Sequence, residues 1–236
     1  YVKWDMNRMI TDMPCLGYNH KYTLGFYDIM HRIVTAFPNI LFEGCSSGGG
    51  RADLGALSHF DMVWTSDDTD PIDRLEIQEG FSLIYPTKSM RAWVTDTNRG
   101  SRPNDWDFRF NVTMQGSLSI GGNLLKYNEE ELEIHRKYIA LYKEIRNTVQ
   151  FGKLYRLADF ENDKLYANQY VGENQSVLFL CKSVNTFFNE KFYHVRLKGL
   201  DELARYTVKH DDKEESCSGA YLMNVGLPFE MGGTLQ

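Results

Sequence analysis

Several features are scarce in this 236-residue sequence, and each absence excludes a class of protein. With 26 basic residues against 32 acidic ones, a formal charge of −6, the chain has no excess of positive charge for nucleic acid or an anionic membrane. Its apolar runs all fall short of the ~20 residues that a membrane helix needs. We therefore expect neither a nucleic-acid partner nor a membrane partner.

Cysteine is also scarce, and no two of the four cysteines are close in sequence. They are Cys15, Cys45, Cys181 and Cys217. Their spacing argues against zinc and thioredoxin-like motifs. The six histidines are scattered, and no pair four residues apart lies next to a glutamate, so we predict no metal site. Reduced thiols and a cytoplasmic location are the expectation for such a chain.

The sequence does contain enough apolar material for a sizeable core, since 42% of its residues are hydrophobic and 14% are aromatic. Strand-like and helix-like segments alternate over residues 1–152, which is typical of a parallel α/β fold. Short strands separated by Gly, Asn and Asp follow over residues 153–236. This second pattern favours an antiparallel β module, most simply a sandwich. We therefore predict two domains with these bounds.

Apolar clusters before turns predict strands, and apolar residues at helical spacing predict helices. In the first domain the predicted strands are 1–4, 40–43, 62–65, 82–85, 92–95 and 118–120. The predicted helices are 20–37, 128–150 and one that begins at Pro71 with Thr69 or Asp70 as its N-cap. In the second domain the predicted strands are 164–170, 176–183, 191–197 and 204–208.

Two aspartates each follow a short apolar or aromatic segment, where a buried strand would end. The first is Asp5 in Lys3-Trp4-Asp5-Met6-Asn7-Arg8, and the second is Asp67 in Trp64-Thr65-Ser66-Asp67-Asp68-Thr69-Asp70. Paired carboxylates are what glycoside cleavage needs. Other interpretations stay open: Asp5 could pair with Lys3 or Arg8, and Asp68 and Asp70 compete with Asp67 or cap the helix near Pro71.

A third motif follows the strand at 40–43, and its sequence is Cys45-Ser46-Ser47-Gly48-Gly49-Gly50-Arg51. Glycine tolerates positive φ and lets the backbone approach a ligand, so the run suggests the wall of a tight pocket. The motif lacks the spacing and the lysine of a phosphate-binding P-loop. Cys45 could instead be a small buried hydrophobe. The simplest role for Arg51 is to brace the loop or to pair with a carboxylate.

Taken in chain order, with the Cys45–Arg51 segment between the two aspartate motifs, the three motifs resemble the α-galactosidases of glycoside hydrolase family 36. Supporting segments are 93–96, 121–124, 149–157 and 226–228. The resemblance implies the C-terminal part of a (β/α)8 TIM barrel, from about strand four, followed by an antiparallel β-sandwich domain. It also implies that an N-terminal β domain and three barrel strands precede residue 1, so we expect this chain to be a fragment.

The resemblance further implies a retaining glycosidase that releases terminal α-linked galactose from sugars of the melibiose or raffinose type, without metal or other cofactor. Asp5 matches the nucleophile and Asp67 the acid/base, with carboxyl groups ~5 Å apart. Asp5 must be ionised, which Lys3 on the same strand face favours. Asp67 must be protonated when the substrate binds.

The substrate-binding residues are expected to be Lys3, Cys45, Gly48, Arg51 and Trp64. By resemblance Cys45 and Gly48 lie beside the galactose 2-hydroxyl, and Lys3 donates to sugar hydroxyls. For Trp64, as for Trp93, a core position is an equally good interpretation.

Alternatives to the α-galactosidase interpretation are an α-N-acetylgalactosaminidase, which would need more room near Cys45 and Gly48, a galactosyl transferase on the same scaffold, or a catalytically inert fragment. For the complete protein the resemblance implies a homo-oligomer, a tetramer, acting on an oligosaccharide substrate.

Overall fold

The structure is a computed structural model that describes residues 1–96, 105–158, 165–182, 191–210 and 213–231, with the backbone only for 191–193 and 230–231. Lys164 and Ser183, at the ends of two predicted strands, lie outside these ranges. The described residues form two compact units. The first unit contains residues 1–96 and 115–123, and the second contains residues 105–114 and the described residues from 124 onward.

The first unit is built on a five-stranded parallel sheet whose spatial order follows the chain, β1-β2-β3-β4-β5. Its strands are β1 (Val2–Asp5), β2 (Phe42–Cys45), β3 (Met62–Trp64), β4 (Met90–Val94) and β5 (Ser117–Ile120). Helices α1 (Tyr18–Ala36), α2 (Leu54–Leu57) and α3 (Pro71–Ser82) connect the first four strands. The predicted parallel α/β arrangement is confirmed.

One face of this sheet packs against helices. Phe26 and Met30 of α1 form a buried cluster with Phe42 of β2, and Ala56, Phe60 and Val63 complete it. A Cβ on Gly44 would lie 2.7 Å from the Phe60 ring, so Gly44 faces the same side as Phe42. Because successive strand residues point to opposite faces, Glu43 and Cys45 face away from this core. The strand pattern therefore carries both polar groups to the other face.

The start of α3 is defined by Asp70. Its Oδ1 accepts hydrogen bonds from the backbone N–H of Ile72 at 3.0 Å and of Asp73 at 3.4 Å, and Pro71 occupies the first helical position. Proline suits this position because its missing N–H would have no partner there. Of the two caps predicted, the structure selects Asp70 and not Thr69.

The prediction of a strand at 82–85 is wrong. Helix α3 continues to Ser82 and a turn follows, in which the rings of Phe81 and Tyr85 lie 5.0 Å apart and the Tyr85 hydroxyl donates to the carbonyl of Ala52. Leu83 and Ile84 are exposed. A short apolar run does not distinguish a strand from the end of a helix.

The second unit contains three small antiparallel sheets, ordered β6-β7-β8, β10-β11 and β12-β9. Its strands are β6 (Lys153–Arg156), β7 (Leu165–Val171), β8 (Ser176–Lys182), β9 (Lys191–Val195), β10 (Arg205–His210), β11 (Lys213–Ser218) and β12 (Leu227–Met231). Its helices are α4 (Trp106–Thr113), α5 (Glu129–Phe151) and α6 (Gly219–Asn224). The antiparallel pairing predicted here is confirmed, and the sandwich stays a prediction.

No helix in the described ranges has both the length and the apolar character required to cross a bilayer.

Candidate active site

The C-terminal end of β1 lies beside that of β2, and their register aligns the predicted site residues. Lys3 is paired with Glu43, and Asp5 is paired with Cys45. All four side chains share the face of the sheet that points away from the helix core. The prediction that Asp5 stands at the end of a strand is confirmed. The site therefore begins from two adjacent parallel strands whose ends meet at one edge.

The surroundings of Asp5 favour its charged form. A hydrogen bond from the Cys45 thiol is the main cause that lowers the pKa of Asp5, and a slight desolvation opposes it. The Asn7 amide, whose Nδ2 lies 3.0 Å from Asp5 Oδ2, and the Lys3 charge lower it further. Burial raises the pKa of the Cys45 thiol, which stays protonated and able to donate. Asp5 is thus an exposed, ionised carboxylate at neutral pH.

Lys3 sits between a carboxylate and two indole rings. Its Nζ lies 3.7 Å from Glu43 Oε1, 4.3 Å from the centre of the Trp93 ring and 5.1 Å from that of Trp64. Within the described part of the chain, the ion pair of Lys3 is made with Glu43 rather than with Asp5. The interpretation of Asp5 as a structural partner of Lys3 is therefore not supported.

The segment from Cys45 to Arg51 is hydrogen-bonded to the end of β1 and to the residues that follow it. The Ser46 hydroxyl donates to the Met6 carbonyl at 2.7 Å, and the Ser47 N–H donates to Asn7 Oδ1 at 2.9 Å. Arg51 Nη2 donates to the carbonyl of Cys45 at 2.6 Å and to that of Trp4 at 3.2 Å. The prediction that Arg51 braces this loop is confirmed.

The same loop touches the segment that carries Asp67. Gly48 has a left-handed φ of 81°, and a Cβ added there would lie 2.8 Å from Ser66 Cα and 3.3 Å from the Asp67 nitrogen. Glycine is therefore required twice, for its backbone angle and for the close approach of the two chains. The loop contacts both candidate carboxylate segments.

Asp67 is oriented by Trp64. The indole Nε1 donates to Asp67 Oδ1 at 2.9 Å, and the Trp64 side chain is only 2% exposed. Its ring lies 4.4 Å from that of Trp93, and the Arg74 guanidinium lies 5.0 Å from its centre. Burial lowers the pKa of Arg74 to about 10, so it remains a cation beside the indole. Trp64 supports the acid/base candidate, and its contact with sugar stays a prediction.

Asp68 and Asp70 build the turn that follows. Asp68 Oδ1 accepts from the backbone N–H of Asp70 at 3.0 Å, and Asp70 is 1% exposed as the cap of α3. Asp67 is the exposed aspartate of the three. The capping interpretation is therefore confirmed for Asp70, and the assignment of the acid/base role to Asp67 rather than Asp68 stays a prediction.

The sequence interpretation did not identify Glu43, Arg91 or Tyr1 as neighbours of Lys3 or of one another. Glu43 is fully buried, and its Oε2 lies 3.2 Å from Arg91 Nε and accepts from the Tyr1 hydroxyl. Burial, and then this hydrogen bond, raise the pKa of Tyr1, which stays a neutral donor. The sequence does contain a signal for Glu43. Successive side chains of a strand point to opposite faces, so Glu43 must lie on the face opposite to Phe42.

Replacing Gly48 by alanine is expected to destabilise the fold by at least ~1–2 kcal/mol, the cost of a left-handed residue with a Cβ. The added methyl also displaces the Ser66–Asp67 backbone, so kcat/KM should fall by up to about 10²-fold. Gly80 is the matched control, because it is in α3 and a Cβ added there would have no atom within 4 Å. Gly80→Ala should stabilise the helix by ~1 kcal/mol. Chemical denaturation measures the stability of both variants, and steady-state kinetics measure their kcat/KM. Equal effects of Gly48→Ala and Gly80→Ala would contradict the structural role assigned to Gly48.

Among the described residues, no group of three or more His, Cys, Asp or Glu side chains is placed to hold a metal ion. All four cysteines lie in the described ranges and are free thiols.

Asp5 ends β1 and Asp67 follows β3, so the two carboxylates lie after two strands of one parallel sheet. Glycoside hydrolases use such a carboxylate pair, and barrel enzymes place their catalytic groups at strand ends. The family described as Melibiase matches residues 1–152, and the glycosyl hydrolase family 36 C-terminal domain matches residues 165–236. The chain therefore belongs to the melibiases of glycoside hydrolase family 36.

Individual relatives agree with this assignment. Alpha-galactosidase Mel36A of Lactobacillus acidophilus is 37% identical, over 98% of this chain and 33% of its own length. Alpha-galactosidase 2 of Hypocrea jecorina is 37% identical, over 99% of this chain and 31% of its own length. The crystal structure of the alpha-galactosidase AgaA of Geobacillus stearothermophilus has a TM-score of 0.91 at 34% identity, covering all of this chain and 34% of AgaA. The chain spans about a third of the length of these relatives.

Proposed function

We propose that the protein containing this chain is a retaining α-galactosidase that releases terminal α-linked galactose from sugars of the melibiose or raffinose type. Asp5 is the nucleophile and Asp67 the acid/base. The observation that carries the proposal is the loop from Cys45 to Gly48, which contacts Asp5 at one end and the Asp67 segment at the other. Related structures of AgaA variants contain raffinose and stachyose, which supports an oligosaccharide substrate.

The reaction proceeds in two displacements. In the first, the Asp5 carboxylate attacks the anomeric carbon and Asp67 gives its proton to the departing oxygen, which leaves a β-linked galactosyl ester on Asp5. In the second, Asp67 takes a proton from water, and the water oxygen attacks the same carbon and releases Asp5. The product is α-galactose, because two inversions restore the original configuration. Neither step requires a metal or another cofactor.

The predicted binding residues contribute in different ways. Lys3 donates to sugar hydroxyls, and Cys45 and Gly48 line the position of the 2-hydroxyl, where an N-acetyl group would need more room. Arg51 acts through the loop, since its guanidinium is bonded to two backbone carbonyls. Trp64 acts through Asp67, to which it donates its indole N–H.

We further propose that residues 1–152 are the later part of a (β/α)8 barrel from about strand four and that residues 153–236 form a β-sandwich domain. The sequential order of the five parallel strands supports the first assignment, and the antiparallel sheets support the second. The complete protein is proposed to be a cytoplasmic homo-oligomer, a tetramer by family resemblance.

The test is hydrolysis by the protein expressed from the complete reading frame that contains this chain. Incubated with raffinose and followed by proton NMR, it should release galactose whose first-formed anomer is α. A matched pair of nitrophenyl glycosides, α-galactoside and α-N-acetylgalactosaminide, separates the two sugar specificities, and the galactoside should be preferred. Release of the β anomer first, or no release of galactose, would refute the proposal.

Removing the Cys45 thiol is expected to change the pH profile in a defined direction. Its hydrogen bond lowers the pKa of Asp5, so Cys45→Ala should raise that pKa toward its ordinary value. Because the nucleophile must be ionised, activity is lost as pH falls through the pKa of Asp5, and the acidic limb of kcat/KM should move to higher pH. Cys45→Ser, which keeps a donor, should move it less. An unchanged acidic limb in Cys45→Ala would disprove this role for the thiol.

A further inference from the structure

A buried carboxylate with two partly buried cations beside it lies on the same sheet face as Asp5. Of these three residues, only Lys3 has a place in the reaction as proposed. The centre of the group is Glu43, fully buried, between Lys3 at 3.7 Å and Arg91 at 3.2 Å. Tyr1 donates its hydroxyl to the same carboxylate. With Asp5, the group has two positive and two negative side chains, so its formal charge is zero.

Stability alone does not account for this group. Buried ion pairs are often replaced by apolar residues without loss of stability, because desolvation offsets the attraction between the charges. Moreover, Glu43 Oε1 is buried and makes no hydrogen bond in the described structure. Its compensation is the Lys3 ammonium, at ion-pair distance. A buried charge is costly unless it is paired, so this carboxylate oxygen favours a position of the Lys3 ammonium close to it.

The position of Lys3 is what Glu43 controls. Lys3 and Asp5 are two residues apart on one strand face, ~7 Å between their Cα atoms, so a free Lys3 side chain could reach Asp5 and pair with it. The structure instead holds the ammonium at Glu43, beside the rings of Trp93 and Trp64. Asp5 accepts hydrogen bonds from Cys45 and Asn7 instead. The ammonium is thereby fixed next to the nucleophile without neutralising it.

We infer that Glu43 is a positioning residue of the active site, which holds the Lys3 ammonium in place to bind sugar hydroxyls beside the ionised Asp5. The inference rests on the proposed function, in which Lys3 contacts the substrate. Glu43 cannot itself contact a ligand, because its side chain is fully buried. Its effect must pass through Lys3, and this requirement distinguishes it from a residue that only supports the fold.

A double-mutant cycle in the complete protein tests this. Glu43→Gln should lower kcat/KM for a nitrophenyl α-galactoside by about 10- to 100-fold, by analogy with the cost of losing a group that orients a metal-binding side chain. The loss should divide between KM and kcat as it does in Lys3→Met. In the Lys3→Met background, Glu43→Gln should cost less than about twofold, since the side chain it positions is absent.

Glu43→Gln leaves the partly buried cations Lys3 and Arg91 without their counter-ion. A second variant, Glu43→Gln with Arg91→Met, removes one positive and one negative charge together, and it replaces the single variant in the test if that variant fails to fold. The kcat/KM of this double variant should fall by the same factor as that of Glu43→Gln, while its melting temperature should stay near that of the wild type. Additive losses in the cycle, or full activity in this charge-balanced variant, would overturn the inference while leaving the proposed function intact. A wild-type protein without α-galactosidase activity would overturn both.

Discussion

Replacing Asp5 by asparagine is expected to lower kcat/KM for a nitrophenyl α-galactoside by on the order of 10⁴-fold or more, the scale seen when a covalent nucleophile is removed. The amide has no charge with which to attack the anomeric carbon. Its oxygen can still accept the hydrogen bond that Asn7 or Cys45 donates to Asp5, so the local structure should persist. Steady-state kinetics of the complete protein measure the loss.

The matched control is Asp12→Asn, because Asp12 is an exposed aspartate on the segment that follows β1. This variant should keep wild-type activity within about twofold, as surface substitutions usually do. Equal losses at Asp5 and Asp12, or substantial activity in Asp5→Asn after contamination by wild-type protein has been excluded, would refute the nucleophile assignment.

Asp67→Asn is expected to have the second largest effect, and its size should depend on the leaving group. For raffinose, whose departing oxygen needs a proton, kcat/KM should fall by about 10²- to 10⁴-fold. For a dinitrophenyl galactoside, which leaves without protonation, the first step should be nearly unchanged. The Trp64 indole can still donate to the amide oxygen, so the segment should keep its place.

Asp68→Asn is the control for Asp67, since an asparagine there can still accept from the backbone N–H of Asp70. Its activity should stay within about twofold of wild type on both substrates. A loss at Asp67 that is the same for raffinose and for the dinitrophenyl galactoside would exclude proton donation as its role. A leaving-group dependence in Asp68→Asn would move that role to Asp68.

The starts of helices α3 and α5 were predicted well, because they have chemical signals, whereas helices α2, α4 and α6 were not predicted. Helix α5 (Glu129–Phe151) agrees with the predicted range of 128–150 to within one residue at each end. Asn128 and Glu131 form reciprocal hydrogen bonds at its start, and Gly152 is its C-cap. The cap at Asp70 is equally well marked. Strands lack such signals. Strand β11 reads Lys-Glu-Glu-Ser-Cys-Ser and forms through its pairing with β10, which no local pattern indicates.

The site was predicted in part. The glycine run correctly indicated a positive φ and a close approach, and Gly48 has both. Strand β2 was predicted two residues too early, at 40–43, and only its true position opposite β1 puts Cys45 against Asp5. Lys3 was expected to balance the charge of Asp5 and to bind sugar hydroxyls, whereas its ion pair is with Glu43. Register between strands is a tertiary property, and no residue pattern in one segment specifies it.

Formation of the galactosyl ester on Asp5 is the central step of the proposed reaction, and azide rescue tests it directly. In Asp5→Ala of the complete protein, azide should occupy the space of the lost carboxylate, attack the substrate from that side and give β-galactosyl azide. In Asp67→Ala, azide should instead attack the ester on Asp5 and give α-galactosyl azide. Proton NMR of the isolated azides distinguishes the two. An α azide from Asp5→Ala, or a β azide from Asp67→Ala, would contradict the assignment of the two carboxylates.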